Sequence, residues 1–200
     1  MKVVQINAVY GISSTGRIIE NIDDTAKENG IQSFVAYQYT NEKISNGYRI
    51  GNVVDWKIHA FLTRLVGSQA IFSRFATKRL IKWLKNLKPD VIHLHNVHAN
   101  YINLPLLLKY VADNDIKLIL TLHDCWFFTG KCFHFVESDC DKWQSSCGNC
   151  PRLKLDIKIF FLTIKTVLTN SGNEDDGSSD KTWAIAEKFR TKYDFVETYR

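Results

Sequence analysis

Two hundred residues, 45% hydrophobic and 12% aromatic, can bury one good core, because a chain of this size removes roughly 70% of its unfolded surface from water. The net charge of +5 is mild and spread along the chain, with local enrichment from Arg74 to Lys88, which fits an anionic ligand or a membrane surface and argues against a nucleic-acid groove. No stretch reaches the ~18 to 20 apolar residues of a spanning helix, and the longest candidate, Ile157 to Leu168, is interrupted by Lys158 and Lys165.

Met1-Lys2 leads directly into Val3-Val4-Gln5-Ile6, which reads as a buried strand and not as a cleaved signal, so cytoplasmic residence is expected. From there to about Leu122 short apolar runs alternate with longer helical patterns, the sequence form of βα units around a parallel sheet. Val3 to Val9 reads as the first strand and Gly11 to Gly16 as a flexible turn. Arg17 to Asn29 follows as a helix stopped by Gly30, with Gln32 to Tyr37 as the second strand. Asp55 to Val66 and Arg74 to Leu87 carry apolar residues at three- and four-residue spacing, which predicts two amphipathic helices lying on the sheet. Pro89-Asp90 ends the second and launches the strand Val91 to His95. Asn103 is placed to cap a helix with Pro105 in its first turn, running to about Asn114, before the strand Lys117 to Leu122.

Three features carry chemistry. The turn Gly11-Ile-Ser-Ser-Thr-Gly16 has the small residues that let backbone approach a phosphate at a helix N-terminus, although its spacing is neither of the common phosphate-loop patterns and an ordinary βα turn would look the same. His93, His95, Asn96, His98 and Asn100 surround one strand exit, and His123 and Asp124 stand at the next. Ligands of open α/β sheets bind beyond the C-terminal strand ends, where such groups can hydrogen-bond sugar hydroxyls or a phosphate. Period two sets His93 and His95 on one face, and His93 equally suits a satisfied core position. The five cysteines, Cys125, Cys132, Cys140, Cys147 and Cys150, fall within one short segment. Cys147-Gly-Asn-Cys150 is a C-x-x-C knuckle, and Cys132 and Cys140 can complete a structural zinc site, with Cys125 or His134 as substitute ligands. Reduced buried thiols among aromatics are the alternative.

Taken in order, Ile6-Asn7, Ser14-Thr15-Gly16-Arg17-Ile18, Pro89 to Asn96, Tyr101 to Pro105, Leu122 to Trp126, Phe128-Thr129-Gly130, and Cys140-Asp-Lys-Trp143 with Cys147-x-x-Cys150-Pro151 resemble the N-terminal half of family 4 glycosyltransferases of the capsule and colanic-acid type. The resemblance covers residues 1–154. It implies a Rossmann-like parallel sheet with helices on both faces, one half of a two-domain GT-B enzyme, here carrying a Cys-rich loop segment and a short helical tail. It also implies retaining transfer from a nucleotide-sugar to a saccharide or lipid-linked acceptor in surface-polysaccharide synthesis, at or near the inner membrane face. By position, Ser14, Thr15, Gly16 and Arg17 would line the cleft beside the donor phosphates, His95 and Asn96 would contact substrate, and His123 with Asp124 would face the transferred sugar.

The family's C-terminal donor domain with its E-x7-E motif is absent from these residues, so the expectation is a chain weakly active or inactive alone, or one completed by a separate donor-domain chain docking on Ile157 to Leu168. Glu20 and Glu28 match E-x7-E literally but lie on the first helix, where a solvated charged face is the simpler account. After a junction at 155–173, residues 174–200 resemble the nucleotide-binding turn and helix of family 2 (GT-A) glycosyltransferases, which would make Asp175 or Asp176 a base or ribose contact. Helix capping by Ser178 or Ser179 explains the same residues, and a fused gene remnant explains the junction. A different class of function, a zinc-stabilised saccharide- or partner-binding module without catalysis, fits the same residues.

Overall fold

The computed structural model describes residues 1–129, 132–133 and 140–144. The chain divides between His123 and Asp124 into two units. The first runs β1 (Lys2–Val9), α1 (Ser13–Glu28), β2 (Gln32–Tyr39), β3 (Gly47–Arg49), α2 (Val53–Val66), α3 (Arg74–Leu87), β4 (Val91–Leu94), α4 (Leu104–Asp113) and β5 (Lys117–Leu120). Its five strands form one parallel sheet in the order β3-β2-β1-β4-β5. The connections run one way from β1 to β3 and the other way from β3 to β5, so right-handed crossovers place α1 on one face and α2, α3 and α4 on the other. This is the expected Rossmann-like arrangement.

Strand β1 is the central element, and Val4, Gln5, Ile6 and Asn7 along it are all inaccessible to solvent. Its two faces differ. Val4 and Ile6 align with Ile92 and Leu94 of β4, all buried, and each such side chain is worth about 2 kcal/mol when withdrawn from water. Leu80, Leu84 and Leu107 of α3 and α4 are also fully buried. These two helices are tied where the Asn103 N–H donates to Thr77 Oγ1 at 2.7 Å. On the α1 face, Ile19 packs with Tyr10, Val35 and Tyr37, and Gln5 Nε2 donates to the Ile19 carbonyl at 3.3 Å.

That second face also buries a carboxylate. Asp23 of α1 has no solvent exposure and accepts hydrogen bonds from Lys27 Nζ at 2.6 Å, Tyr10 OH at 3.0 Å and Asn46 Nδ2 at 3.2 Å. Burial by itself raises the Asp23 carboxyl, and these donors outweigh it, holding the group below its ordinary value. The bonds tie α1 to the end of β1 and to the loop before β3.

Several local expectations are corrected. Helix α1 begins at Ser13, not Arg17, because Gly11 and Ser13 both take left-handed backbone, at φ 70° and 57°, and turn the chain within three residues. Gly30 does end α1 with a left-handed φ of 71°. Strand β2 continues to Tyr39, and β3, a three-residue edge strand, has no periodicity that would announce it. Strand β4 ends at Leu94 and β5 at Leu120, leaving His95 and Thr121 just past the ladder. Helix α2 has an Asn52–Asp55 capping box and begins at Val53, but its apolar stripe does not lie on the sheet. Val54, Ile58, Phe61 and Leu65 are each more than half exposed, while His59 and Ala60 point inward. An all-round apolar helix carries no directional signal in its spacing, so its orientation is set by the His59 Nδ1 to Ser73 Oγ contact of 2.7 Å and the Arg79–Asp55 ion pair of 2.9 Å.

In the second unit Asp124 Oδ1 accepts the Trp126 N–H at 2.9 Å and starts the short helix α5 (Trp126–Thr129). The Cys125 N–H donates to the Phe133 carbonyl and Thr129 Oγ1 to the Cys132 carbonyl, at 2.9 and 2.7 Å. A single 3-10 turn spans Lys142–Gln144. Cys147, Cys150, His134, the junction at 155–173 and the whole of 174–200, with Asp175 and Asp176, lie outside the described residues. No helix among the described residues is long and apolar enough to cross a membrane.

Replacing Asp23 by Ala leaves the Tyr10 hydroxyl without its buried acceptor and Asn46 Nδ2 with the Ser33 carbonyl alone, and is expected to lower unfolding free energy by about 2 kcal/mol. Urea denaturation followed by circular dichroism reads this directly.

Candidate functional site

The C-terminal edge of the sheet gathers three strand exits in spatial order. The direction of chain progression reverses between β1 and β4, which opens the crevice where doubly wound sheets bind ligands. On the β1 side lies the turn into α1. Gly16 sits buried in the first helical turn, its carbonyl accepting the Gly11 N–H at 3.1 Å. A Cβ there would stand 3.2 Å from Val9 Cγ2, so glycine permits the helix to start this close to the strand end. The residue at the N-cap, Ile12, offers no side-chain acceptor, and the Glu20 carboxylate lies beside Gly11, 3.6 Å from where a Cβ would stand. Ser14 and Arg17 are exposed and Thr15 half-buried.

On the β4 side the backbone of Asn96 is clamped. Its N–H donates to Asn7 Oδ1 at 3.1 Å, its carbonyl accepts the Tyr101 hydroxyl at 2.8 Å, and Asn7 Nδ2 donates to the Val9 carbonyl at 2.7 Å. Buried Asn7 therefore locks the exits of β1 and β4 together. Its signal in sequence is a polar residue that, with Gln5, interrupts the apolar run of β1.

Three imidazoles line the same edge. His93 pairs in register with Gln5 and Ile119, and its Nε2 lies 2.8 Å from Thr121 Oγ1. The His93 and His95 ring centroids are 4.0 Å apart, so the two do share a face, and His95 stacks on His123 at 5.2 Å. His95 Nδ1 is 3.0 Å from His123 Nε2. One of these nitrogens must donate and the other accept, so the tautomer of His123 is coupled to that of His95. Burial, reinforced by the neighbouring imidazoles, drives His95 down to about 2; burial with the charge of His123 drives His93 down to about 4. Both are neutral near pH 7.

The structure places His95, expected to contact substrate, in the interior. His95 has no solvent exposure, and its Nε2 is buried without a hydrogen-bond partner; what it touches is His123. Thr121, which no sequence argument singled out, holds His93. Asn100 is diverted to the other side of the sheet, where its Oδ1 accepts the Thr63 hydroxyl of α2 at 3.0 Å. His123 closes the first unit and Asp124 opens the second, and the Asp124 carboxylate is engaged as the cap of α5. Of the cysteines expected to bind metal, Cys132 and Cys140 are half-buried, and Cys147 and Cys150 lie outside the described residues.

Residues 17–151 match Glycosyltransferase Family 4. The chain belongs to that family. The match begins at Arg17, within the first turns of α1, and takes in both imidazole-bearing exits. Over 70 residues the family 4 chain is 34% identical to WcaC of Escherichia coli (strain K12), a protein named as a colanic acid biosynthesis glycosyl transferase. The matched stretch covers 32% of this chain and 17% of that relative's length. No solved structure matches the family 4 chain.

The buried imidazoles make the fold acid-sensitive, with a definite sign. In the unfolded chain His95 titrates near pH 6.5, whereas in the fold its value is about 2. The unfolded state thus binds more protons throughout that window, and stability present above about pH 6.5 is lost as pH falls. Lowering pH from about 7 to about 5 is expected to cost about 2 kcal/mol through His95 alone. Urea midpoints measured across this range should show it, with a shallower slope for His95→Gln.

Proposed function

We propose that this chain supplies the acceptor-side lobe of a glycosyltransferase that moves a sugar from a nucleotide-sugar to a saccharide or lipid-linked acceptor in bacterial surface-polysaccharide synthesis. The observation that carries the reading is a shared sheet edge, where α1 starts after β1 and the His95–His123 pair stands past β4 and β5. The helix start suits the phosphates of a nucleotide-sugar. The pair offers a sugar the ring of His123, held in place by its contact with His95.

In the transfer the bond between the anomeric carbon and the phosphate oxygen breaks, and a bond to an acceptor hydroxyl oxygen forms as that hydroxyl loses its proton. Negative charge grows on the departing nucleoside diphosphate, and in this reading the N–H groups of the first turn of α1 and the exposed Arg17 meet it. Ser14 and Thr15 lie beside them. His123 and Asp124 face the transferred sugar in this reading, Asn96 hydrogen-bonds the acceptor, and His95 acts through His123. Nucleotide recognition falls to a second Rossmann-like lobe, in the same polypeptide or on a partner chain. The alternative base or ribose contact, Asp175 or Asp176 of this chain, rests on the D-D-G-S turn. The inner membrane face is the place of action, because a lipid-linked acceptor is held there.

Turnover of a nucleotide-sugar panel by the chain together with its second lobe, offered with saccharide and lipid-linked acceptors, tests the reading. His123→Ala is expected to lower transfer by about 100-fold or more and, because it strips His95 Nδ1 of its partner, to lower the melting temperature by a few degrees; equal rates in the variant would remove His123 from the reaction. Failure of every donor to turn over while saccharides still bind would favour a binding module.

A structural zinc held by Cys132, Cys140, Cys147 and Cys150 completes the proposal, supported by the C-x-x-C knuckle and the half-burial of the first two thiols. Four thiolates close the metal's coordination, so its contribution would be to the folding of this segment. Chelation and Cys147→Ser should each lower the melting temperature by several degrees and release zinc measurable by mass spectrometry. An unmoved melting temperature with no zinc released would refute the site.

A further inference from the structure

Helix α2 is oriented against the usual rule for a helix on a sheet. Its two ends are well formed, by the Asn52–Asp55 capping box and by Gly67 in left-handed backbone, so the helix is firmly made. Its inward side consists of His59 and Ala60. At 100° per residue, Val54, Ile58, Phe61 and Leu65 fall within about 60° of one another, and all four are more than half exposed. Phe75, at the start of α3, is 76% exposed. A contiguous outward stripe of this kind marks an interaction surface and not scattered surface apolarity.

The charge beside the stripe selects the partner. Lys57 and Arg64 run along one flank of α2, and α3 contributes Arg74, Lys78, Lys82 and Lys85, all exposed. Helix α3 contains no acidic residue, and the acid nearest it on α2, Asp55, is already paired with Arg79. Apolar groups able to enter a bilayer boundary, flanked by long cationic side chains that reach phosphate headgroups, make an interfacial helix pair. A second copy of this chain would bring the same cations against these. The Ile157–Leu168 segment would bring Lys158 and Lys165 and no acid.

We infer that the outward faces of α2 and α3 dock on an anionic lipid surface, with Val54, Ile58, Phe61 and Leu65 entering the headgroup boundary. The inference deepens the membrane part of the proposed function and names the surface responsible, but it does not require that the chain transfer sugar. Docking this face would seat the lobe on the bilayer through the α2 and α3 side of the sheet, opposite α1.

Co-sedimentation of the full chain with vesicles tests it. Vesicles of phosphatidylglycerol and phosphatidylethanolamine should bind at least about tenfold more tightly than phosphatidylcholine vesicles, and binding should weaken steeply between about 0.1 M and about 0.5 M salt. Ile58→Asp with Phe61→Asp should reduce binding about tenfold or more, with a circular dichroism spectrum and melting temperature like those of the parent. Lys78→Glu with Lys82→Glu should abolish the preference for anionic lipid, which covers the case in which the apolar variant fails to fold. Parent-like binding by both variants would overturn the inference, as would absence of binding to anionic vesicles. A parent that sediments as a dimer and becomes a monomer on Ile58→Asp with Phe61→Asp, without binding vesicles, would assign the face to a second copy instead. Vesicle binding without nucleotide-sugar turnover, once the second lobe is supplied, would leave this surface standing while sinking the transferase reading, and turnover on a soluble acceptor without vesicle binding would do the reverse.

Discussion

Everything at the candidate site hangs from β1, a strand paired on both edges and buried on both faces. A parallel strand in that position must satisfy its backbone groups through β2 and β4 and can carry polar side chains only where each finds a partner. Gln5 and Asn7 meet that condition in different ways. Gln5 reaches the Ile19 carbonyl and helps seat α1. Asn7 spends both ends of its amide on backbone, one on Val9 and one on Asn96, and so fixes the separation of the two strand exits that flank the crevice.

The imidazoles depend on this same rigidity. His93 and His95 lie on the α1 face, in the row begun by Gln5, where desolvation keeps them neutral. Two buried neutral rings cost less than two buried charges, yet still need hydrogen-bond partners, and Thr121 and His123, just past the end of β5, supply them. An uncharged ring held in one tautomer is a better-defined hydrogen-bonding edge than a freely titrating one. The orphaned Nε2 of His95 is what this arrangement leaves unpaid.

Sheet, helices and most boundaries were legible in the sequence because parallel strands and amphipathic helices write their period into the chain. Helix α3 was placed to the residue, since Leu80 and Leu84 lie on one side and lysines on the other. The capping of α4 by Asn103 was equally readable. The start of α1 was not, because a run of small residues fits a loop and a first helical turn alike. Nor was β3, whose pairing with β2 is an edge contact that short local sequence cannot signal. The Asp23 network escaped notice because an acid on a helix reads as solvated unless the tertiary packing that closes over it is known.

The sequence by itself determined the parallel α/β class, the clustering of histidines at adjacent strand exits and the membership in Glycosyltransferase Family 4, because each is written in local periodicity or in the order of short motifs. Tertiary structure alone decided that His95 is buried behind His123, that Asn7 bridges two strand ends, and that the apolar stripe of α2 faces outward. These are relations between residues distant in the chain. A helix that is apolar on several sides carries no instruction about which side to bury, and a histidine carries none about whether another ring will cover it.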